Sequence, residues 1–440
     1  MDRQLYKNLM KWKTSARRKP LLLRGARQTG KTYLLQEFGR LEYDSCISIN
    51  FEKDPSAAEF FSDRLDAHEL VRNLSIYIGR NIRPERDLIV FDEIQASNRA
   101  LSSLKYFQEQ APEYHIAAAG SLLGIAISGP GSFPVGKVNF LDLYPLTFFE
   151  FLDAVGAKEL KELVHDTQSP EPYPEPLHKE LLRHLRSYYF TGGMPEAVSH
   201  FASSGNLAEV REIQNEILGA YVLDFAKYAA GPDIPKLRMI WDSIPAQLSK
   251  ENKKFVFSVL KKSARLRDFD NAIQWLEKAG LIHRVFRVGT AKRPLKAYAE
   301  ENIFKMYALD IGLLGALAGI TADILVRGDK IFREFEGALV ENYVVQELKA
   351  AKGMDLYYWE SRGTAEVDFV CEDSDFIYPL EAKAGVNPRS KSLSSFDQKF
   401  DPPYLGRTSQ LNLKRDGRIL NIPLYAVSLF PMQLGEESMG

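Results

Sequence analysis

Residues 25–32 read GARQTGKT, between the apolar run LLLR and the amphipathic run YLLQEF. The spacing G-x-x-x-x-G-K-[ST], flanked by a strand and a helix, restricts this part of the chain to a strand, a tight loop and a helix. Gly25 and Gly30 permit backbone angles that other residues resist, so consecutive amides turn inward toward an anion. The helix beginning near Lys31 aims its positive end at the same point. Lys31 places a cation where the β- and γ-phosphates of a nucleotide would lie, and Thr32 offers a hydroxyl to Mg2+. With Gln28 and Thr29 completing the loop, the segment is expected to hold ATP.

A second piece of the same chemistry is LIVFDEIQ. Asp92 at the tip of this strand suits the water shell of Mg2+, and Glu93 suits polarisation of the attacking water. The strand is expected to neighbour the one that precedes the phosphate loop. The strand signal AAAGS ends at Ser121, a candidate to sense the γ-phosphate or the water; a simple turn serine is the other reading. The strand signals LLLRG, CISINFE, LIVFDE and YHIAAAGS are separated by helical stretches, one of them reaching Ile82. This alternation implies an α/β fold with a parallel sheet.

At 440 residues the chain should hold two to four domains of roughly 100–200 residues. The net charge of -1 excludes a global polyanion-binding field and leaves only local patches. Two cysteines, Cys46 and Cys371, exclude a disulfide scaffold and fit a reducing compartment. The N-terminal stretch is basic and polar, unlike a signal peptide. No apolar run reaches the roughly 18 residues that cross a bilayer, so a cytoplasmic protein without a membrane partner is expected. The seven histidines lack metal-ligand spacing.

Along the chain we expect a nucleotide-binding core over 1–165, a linker and helical lid over 166–236, a winged helix over 237–328 and a last α/β domain over 329–440. The stretch DTQSPEPYPEPLH reads as a linker or exposed loop. DNAIQWLEKAGLI is a helix capped by Gly280. The strands HRVFRV and KAYAE follow around a turn at 292–294, which completes the order of a winged helix. Lys250, Lys253, Lys254, Lys261, Lys262, Arg265 and Arg267, with Lys292, Arg293 and Lys296 on the wing, can neutralise DNA phosphates. A solvated face or a packing surface is the alternative.

RGARQTGKT, LIVFDEIQ, AAAGSLLG, GKVNFLDLYPLTFFEFL, YYFTGGMPEAV, EVDFV and PLEAKA together make the sequence resemble a prokaryotic AAA-plus P-loop ATPase family with a C-terminal domain of unknown function. The resemblance implies a nucleotide domain, a winged helix and a C-terminal domain similar to PD-(D/E)xK, restriction-endonuclease-like nucleases. Similar proteins often carry arginine where this chain has Lys137, and lysine lacks the bidentate fork of a γ-phosphate finger. TGGMP is similar to the glycine-x-proline motif of STAND-type ATPases, which would put Pro195 beside adenine; a helix start with Pro195 in its first turn is the plain reading.

Glu366 and Asp368 lie two apart on one expected strand, and Glu381 and Lys383 two apart on the next, so each pair shares a face. Asp368, Glu381 and Lys383 can converge if the strands pair, with Glu341 joining from the preceding helix. Such a set can hold Mg2+ on Asp368 and Glu381 and act on a phosphodiester. Two functions follow as expectations. In one, ATP binding or hydrolysis gates a nucleic-acid-acting C-terminal module. In the other, the chain is a STAND-like switch that recruits DNA or a protein partner without cutting.

Overall fold

The computed structural model describes residues 3–62, 65–120, 134, 136–229, 231–250, 252–322, 330–361, 365–385 and 391–432. The chain forms two compact units. One holds Asp2–Tyr144 with Lys278–Gly280; the other holds Pro145–Glu277 and Leu281–Gly440. No helix among the described residues is long and apolar enough to cross a membrane.

The first unit is built on five strands: β1 (Leu21–Arg24), β2 (Ser45–Asn50), β3 (Asp87–Asp92), β4 (His115–Ala119) and β5 (Asn139–Asp142). Their order across the sheet is β2-β3-β4-β1-β5, and every neighbouring pair is parallel. Alternate residues of each strand feed opposite faces. Leu21, Leu23, Leu88, Val90, Ala117 and Ala119 pack with Leu34, Leu35 and Phe38 of the helix Lys31–Glu42. Leu22, Ile89, Phe91, Ile116 and Ala118 pack on the other side with Leu70, Leu74, Leu104 and Phe107. A sheet covered on both faces needs near-continuous apolar strands, which is why LLL, LIVF and IAAA read as they do.

Two expectations need correction here. The strand carrying Asp92 does not neighbour β1, because β4 pairs with both and lies between them. Spacing along the chain orders strands in sequence, not across a sheet. The helical stretch expected up to Ile82 is two helices, Pro55–Glu59 and Ala67–Tyr77, each started by an aspartate whose side chain accepts a backbone N–H. β5 was not among the expected strands. Among the described strands it borders β1 alone, and Asn139 and Asp142 are not buried, so its apolar signal is weak.

The second unit begins with the helices Phe148–Ala154, Lys158–His165, Glu175–Thr191, Pro195–Ser204, Leu207–Tyr228, Ile234–Leu248 and Leu266–Lys278. An eight-stranded sheet follows, of order β12-β13-β11-β10-β9-β8-β6-β7. Its members are β6 (Ile282–Val288), β7 (Ala299–Ala308), β8 (Tyr357–Glu360), β9 (Glu366–Asp373), β10 (Phe376–Ala382), β11 (Leu405–Ser409), β12 (Lys414–Asp416) and β13 (Ile419–Pro423). β8 covers the apolar run LYYWES, which reads as a strand, and β9 and β10 fall where strands were expected; β11 to β13 were not foreseen.

The hairpin β6–β7 is not a free wing. β6 also pairs in parallel with β8, Phe286 against Tyr357 and Val288 against Trp359. The expected boundary at residue 328 is therefore crossed by one sheet. An open β6 edge would leave its N–H and C=O groups unpaired, and β8 satisfies them. One face carries the cluster of Val288, Trp359, Val367, Val370, Leu393 and Phe396. The proline-rich stretch is also more anchored than a linker. Tyr173 is buried, and its N–H and C=O exchange hydrogen bonds with the Asn412 side chain at 3.0 and 2.8 Å.

The helix Lys330–Lys352 buries four polar side chains, Glu341, Asn342, Gln346 and Glu347. Buried polar groups require partners, and these come from stretches whose purpose the sequence left open. Asn342 pairs with the N–H and C=O of Ala308 at 2.7 and 3.1 Å. Gln346 accepts from Ile311 N–H at 2.8 Å and donates to the Tyr188 hydroxyl at 2.8 Å. Glu347 accepts from Phe148 N–H at 2.8 Å. In TGGMP, the Gly193 N–H donates to Asp310 at 2.6 Å and its carbonyl accepts from Leu146 N–H at 2.6 Å. A Cβ on Gly192 would stand 2.2 Å from the Asp310 carboxylate, and one on Gly193 2.1 Å from the Leu146 carbonyl. A buried carboxylate at one position and a backbone carbonyl at the other fill the space a side chain would need, so both positions demand glycine.

Candidate functional site

Parallel strands bring their carboxyl ends to one edge of the sheet, the usual place for a ligand in such a fold. Gly25 follows β1 there, Asn50 ends β2 and Asp92 ends β3. Gly25 has φ 152°, and a Cβ on it would lie 2.2 Å from the Leu143 carbonyl. Gln28 has φ 61° and Gly30 φ 90°, so the loop reverses through left-handed backbone before the helix starts at Lys31. Thr29 donates to the Ala26 carbonyl at 2.9 Å, which braces the loop from inside.

Lys31 is 7% exposed. Its ammonium donates to the carbonyls of Gly25 and Ala26 at 3.0 and 2.6 Å. Both partners are neutral. Burial pushes the amine down to about 8, against the pull of Glu93 and Asp92 in the other direction. The loop thus holds a desolvated cation with no salt-bridge partner among the described residues, a strong attractor for an anion.

The Thr32 hydroxyl donates to Asp92 Oδ1 at 2.8 Å, and Asn50 Nδ2 donates to Asp92 Oδ2 at 2.8 Å. A hydroxyl and a carboxylate held together by hard oxygens fit Mg2+ and its water shell. Asn50, in register with Asp92, was missed from the sequence. The signal was a polar residue closing an apolar strand in SINFE. Glu93 leaves β3 with φ 49° and ψ 43°, a conformation that costs a non-glycine residue about 1–3 kcal/mol and recurs at functional sites. Its carboxylate accepts from the Gln95 side chain.

The remaining expected residues are placed as follows. Ser121 lies outside the described residues. Pro195 is in the second unit, at the first position of the helix Pro195–Ser204. Lys137 forms an ion pair with Glu109 at 2.9 Å on the surface.

In the second unit β9 and β10 pair antiparallel. Asp368 Oδ2 accepts from Ala382 N–H at 2.9 Å, and Lys383, just past β10, lies 2.5 Å from Glu381 Oε1. Glu341 belongs to the same neighbourhood, since it, Glu381 and Lys383 all act on the Asp368 carboxyl. Burial, then Glu341, push that carboxyl up to about 7. Among the described residues, however, no group of three or more His, Cys, Asp and Glu is placed to hold a metal ion. A residue absent from the expected set stands among the carboxylates instead. Lys305 of β7, 1% exposed, lies 2.7 Å from Glu366, 3.7 Å from Glu341 and 4.0 Å from Asp368. The sequence did carry a signal, a lone charge inside the apolar run IFKMYAL, which requires a buried partner.

The expected basic patch is depleted by internal pairing. Lys253 is bonded to Glu341, Lys254 to Glu360 at 2.6 Å, and Arg293 to Asp375 at 2.8 Å. Lys261, Lys262, Arg265, Lys292 and Lys296 remain exposed.

Comparison with known proteins assigns part of the chain. Residues 17–152 match the model of an AAA domain, so this part is an AAA-type P-loop ATPase domain. Residues 182–324 match one domain of unknown function, DUF8612, and residues 336–427 another, DUF4143. No curated protein matches. Among solved structures, the chain is similar to a Walker-type ATPase of Pyrococcus abyssi, at 14% identity and a TM-score of 0.45, over 72% of this chain and 95% of that one. It is similar at 15% identity and a TM-score of 0.29 to the ORC1 protein of Aeropyrum pernix in complex with DNA, over 74% and 92% of the two chains. A STAND protein with a tetratricopeptide repeat sensor from Pyrococcus horikoshii gives 12% identity and a TM-score of 0.27, over 80% of this chain and 47% of that one.

Proposed function

We propose that the chain hydrolyses ATP at Lys31, Thr32, Asp92 and Glu93, and that its nucleotide state operates a non-cleaving switch that recruits DNA or a protein partner. The observation that carries the ATPase half is the pairing of Thr32 with Asp92 at 2.8 Å beside a buried Lys31 amine held by two backbone carbonyls. The triphosphate accepts from the loop amides and gives Lys31 a charge partner. Mg2+ on Thr32, with Asp92 behind it, would neutralise charge on the β- and γ-phosphates. Glu93 orients a water against the γ-phosphorus and takes its proton as the bond to the β-phosphate oxygen breaks. ADP and phosphate are the products. Glu93→Gln should keep ATP affinity and lower turnover on the order of 10²- to 10⁴-fold. Unchanged turnover in purified protein would remove this assignment.

Lys305 favours the switch over a gated nuclease, because it already pairs with Glu341 and Asp368, two of the carboxylates that cleavage needs. A switch requires that its target bind the two nucleotide states differently. Affinity for DNA, or for a captured partner, should therefore differ between ADP and a non-hydrolysable ATP analogue. Equal affinities would end the switch reading.

A further inference from the structure

The carboxylate cluster of the second unit contains a cation of its own. Lys305 reaches it from β7, a strand of the hairpin, not from the helix or the strands that supply the acids. Its ammonium touches Glu366 at 2.7 Å and stands within 4.0 Å of both Glu341 and Asp368. Tyr358 covers it, with the ring centre 5.1 Å away. Glu341 is committed further, to the Tyr307 hydroxyl at 2.7 Å and to Lys253. Glu381 is 5% exposed, and one of its oxygens, Oε2, is buried with no hydrogen-bond partner among the described residues. A buried carboxylate oxygen in that condition keeps its lone pairs uncommitted, at a cost in desolvation.

We infer that Lys305 is the resident cation of this cluster and takes the place of a divalent ion among Glu341, Glu366, Asp368 and Glu381. The second unit then binds neither Mg2+ nor Mn2+ at these residues, and removing the amine alone converts the cluster into a divalent-cation site. Charge decides it. With Asp368 ionised, four carboxylates against the ammonium groups of Lys253, Lys305 and Lys383 leave one negative charge. A divalent ion added to that set would lie beside a buried ammonium and share its oxygens. Without Lys305 two negative charges remain, which one divalent ion cancels. Hard carboxylate oxygens suit Mg2+ and Mn2+. This rests on the non-cleaving half of the proposed function and gives it a cause.

The test counts Mn2+ bound by the nucleotide-free full chain, by calorimetry or by loss of the free-ion electron paramagnetic resonance signal. Four proteins are compared: wild type, Asp368→Asn, Lys305→Met, and the double variant. Wild type and Asp368→Asn should bind the same number of ions. Lys305→Met should gain one, and the double variant should lose it. A wild-type ion lost in Asp368→Asn would overturn the inference, as would a folded Lys305→Met that gains none. If Lys305→Met fails to fold, the first comparison still decides. Failure here leaves the ATPase assignment intact, since turnover of the same preparations is read separately. Failure of the switch shows instead as equal target affinity in the two nucleotide states.

Discussion

Lys31 and Lys305 are both buried amines ringed by oxygen, and their surroundings push them in opposite directions. Lys31 meets two backbone carbonyls. Burial dominates and lowers it to about 8. Lys305 is at least as buried, and burial alone would lower it too, but Glu341, Asp368 and Glu366 reverse the sign and hold it above the ordinary lysine range. Dipoles leave a cation ready for an incoming anion. Carboxylates already supply the anion and close the site. The same side chain thus marks the proposed nucleotide site in one unit and a filled cation site in the other.

Removing Lys305 should have the largest effect on stability. Taking one partner from a buried ion network costs about 3–5 kcal/mol because the remaining charges lose their counter-ion. Urea unfolding of Lys305→Ala without metal should show that loss; an unaltered midpoint would make the cluster's ion pairs irrelevant to the fold.

Lys31→Met should act with the opposite sign on the nucleotide-free protein. Between about pH 8 and the unfolded value near 10.5, the unfolded chain holds a proton that the folded one has released. Stability therefore rises with pH across that window, and below it the buried charge costs up to about 3 kcal/mol. Lys31→Met escapes this cost and should melt higher, while ATP binding falls beyond detection. The same amine must be protonated to hold phosphate, so wild-type ATP affinity should decline above about pH 8, by roughly tenfold per unit at most. Affinity that stays flat from pH 7 to 9.5 would contradict the role given to this lysine.

Glu347 offers an intermediate case, a buried carboxyl served by the Phe148 N–H and the Tyr188 hydroxyl but, among the described residues, by no cation. Burial raises it to about 8. From the unfolded value of 4.5 up to about 8 the folded state keeps a proton the unfolded state lacks, so stability falls as pH rises through this window, by about 1.4 kcal/mol per unit at most. Glu347→Gln should flatten that slope between pH 6 and 8 in denaturant titrations. An identical slope would mean that the carboxyl ionises at no cost.

Asn50→Ala should be the mildest change. It removes one hydrogen bond to Asp92, worth about 1 kcal/mol, and should lower ATP turnover several-fold with affinity nearly retained. A loss as large as that of Glu93→Gln would place Asn50 in the chemistry itself.

Much of the first unit could be read from the chain. The phosphate loop is local: eight consecutive residues set their own backbone, so Gly25, Gly30, Lys31 and Thr32 could be assigned roles without knowing the fold. Asp92 could be placed at a strand end because LIVF is apolar throughout. The order of strands was not legible, since β4 enters between β1 and β3 through pairings that no local pattern encodes. The second unit hid more. EVDFV and PLEAKA showed two carboxylates on one face, but the cation that answers them comes from β7, through the β6–β8 pairing.

By itself, then, the amino-acid order determined the strand-loop-helix turn at Gly25–Thr32, the carboxylate at the end of β3 and the alternation that builds a parallel sheet, because short-range sterics and periodicity suffice for each. Only the tertiary structure decided whether the second set of acids was open or closed. That outcome depends on which distant strand lies alongside, and a buried charge is defined by the neighbours it meets in space.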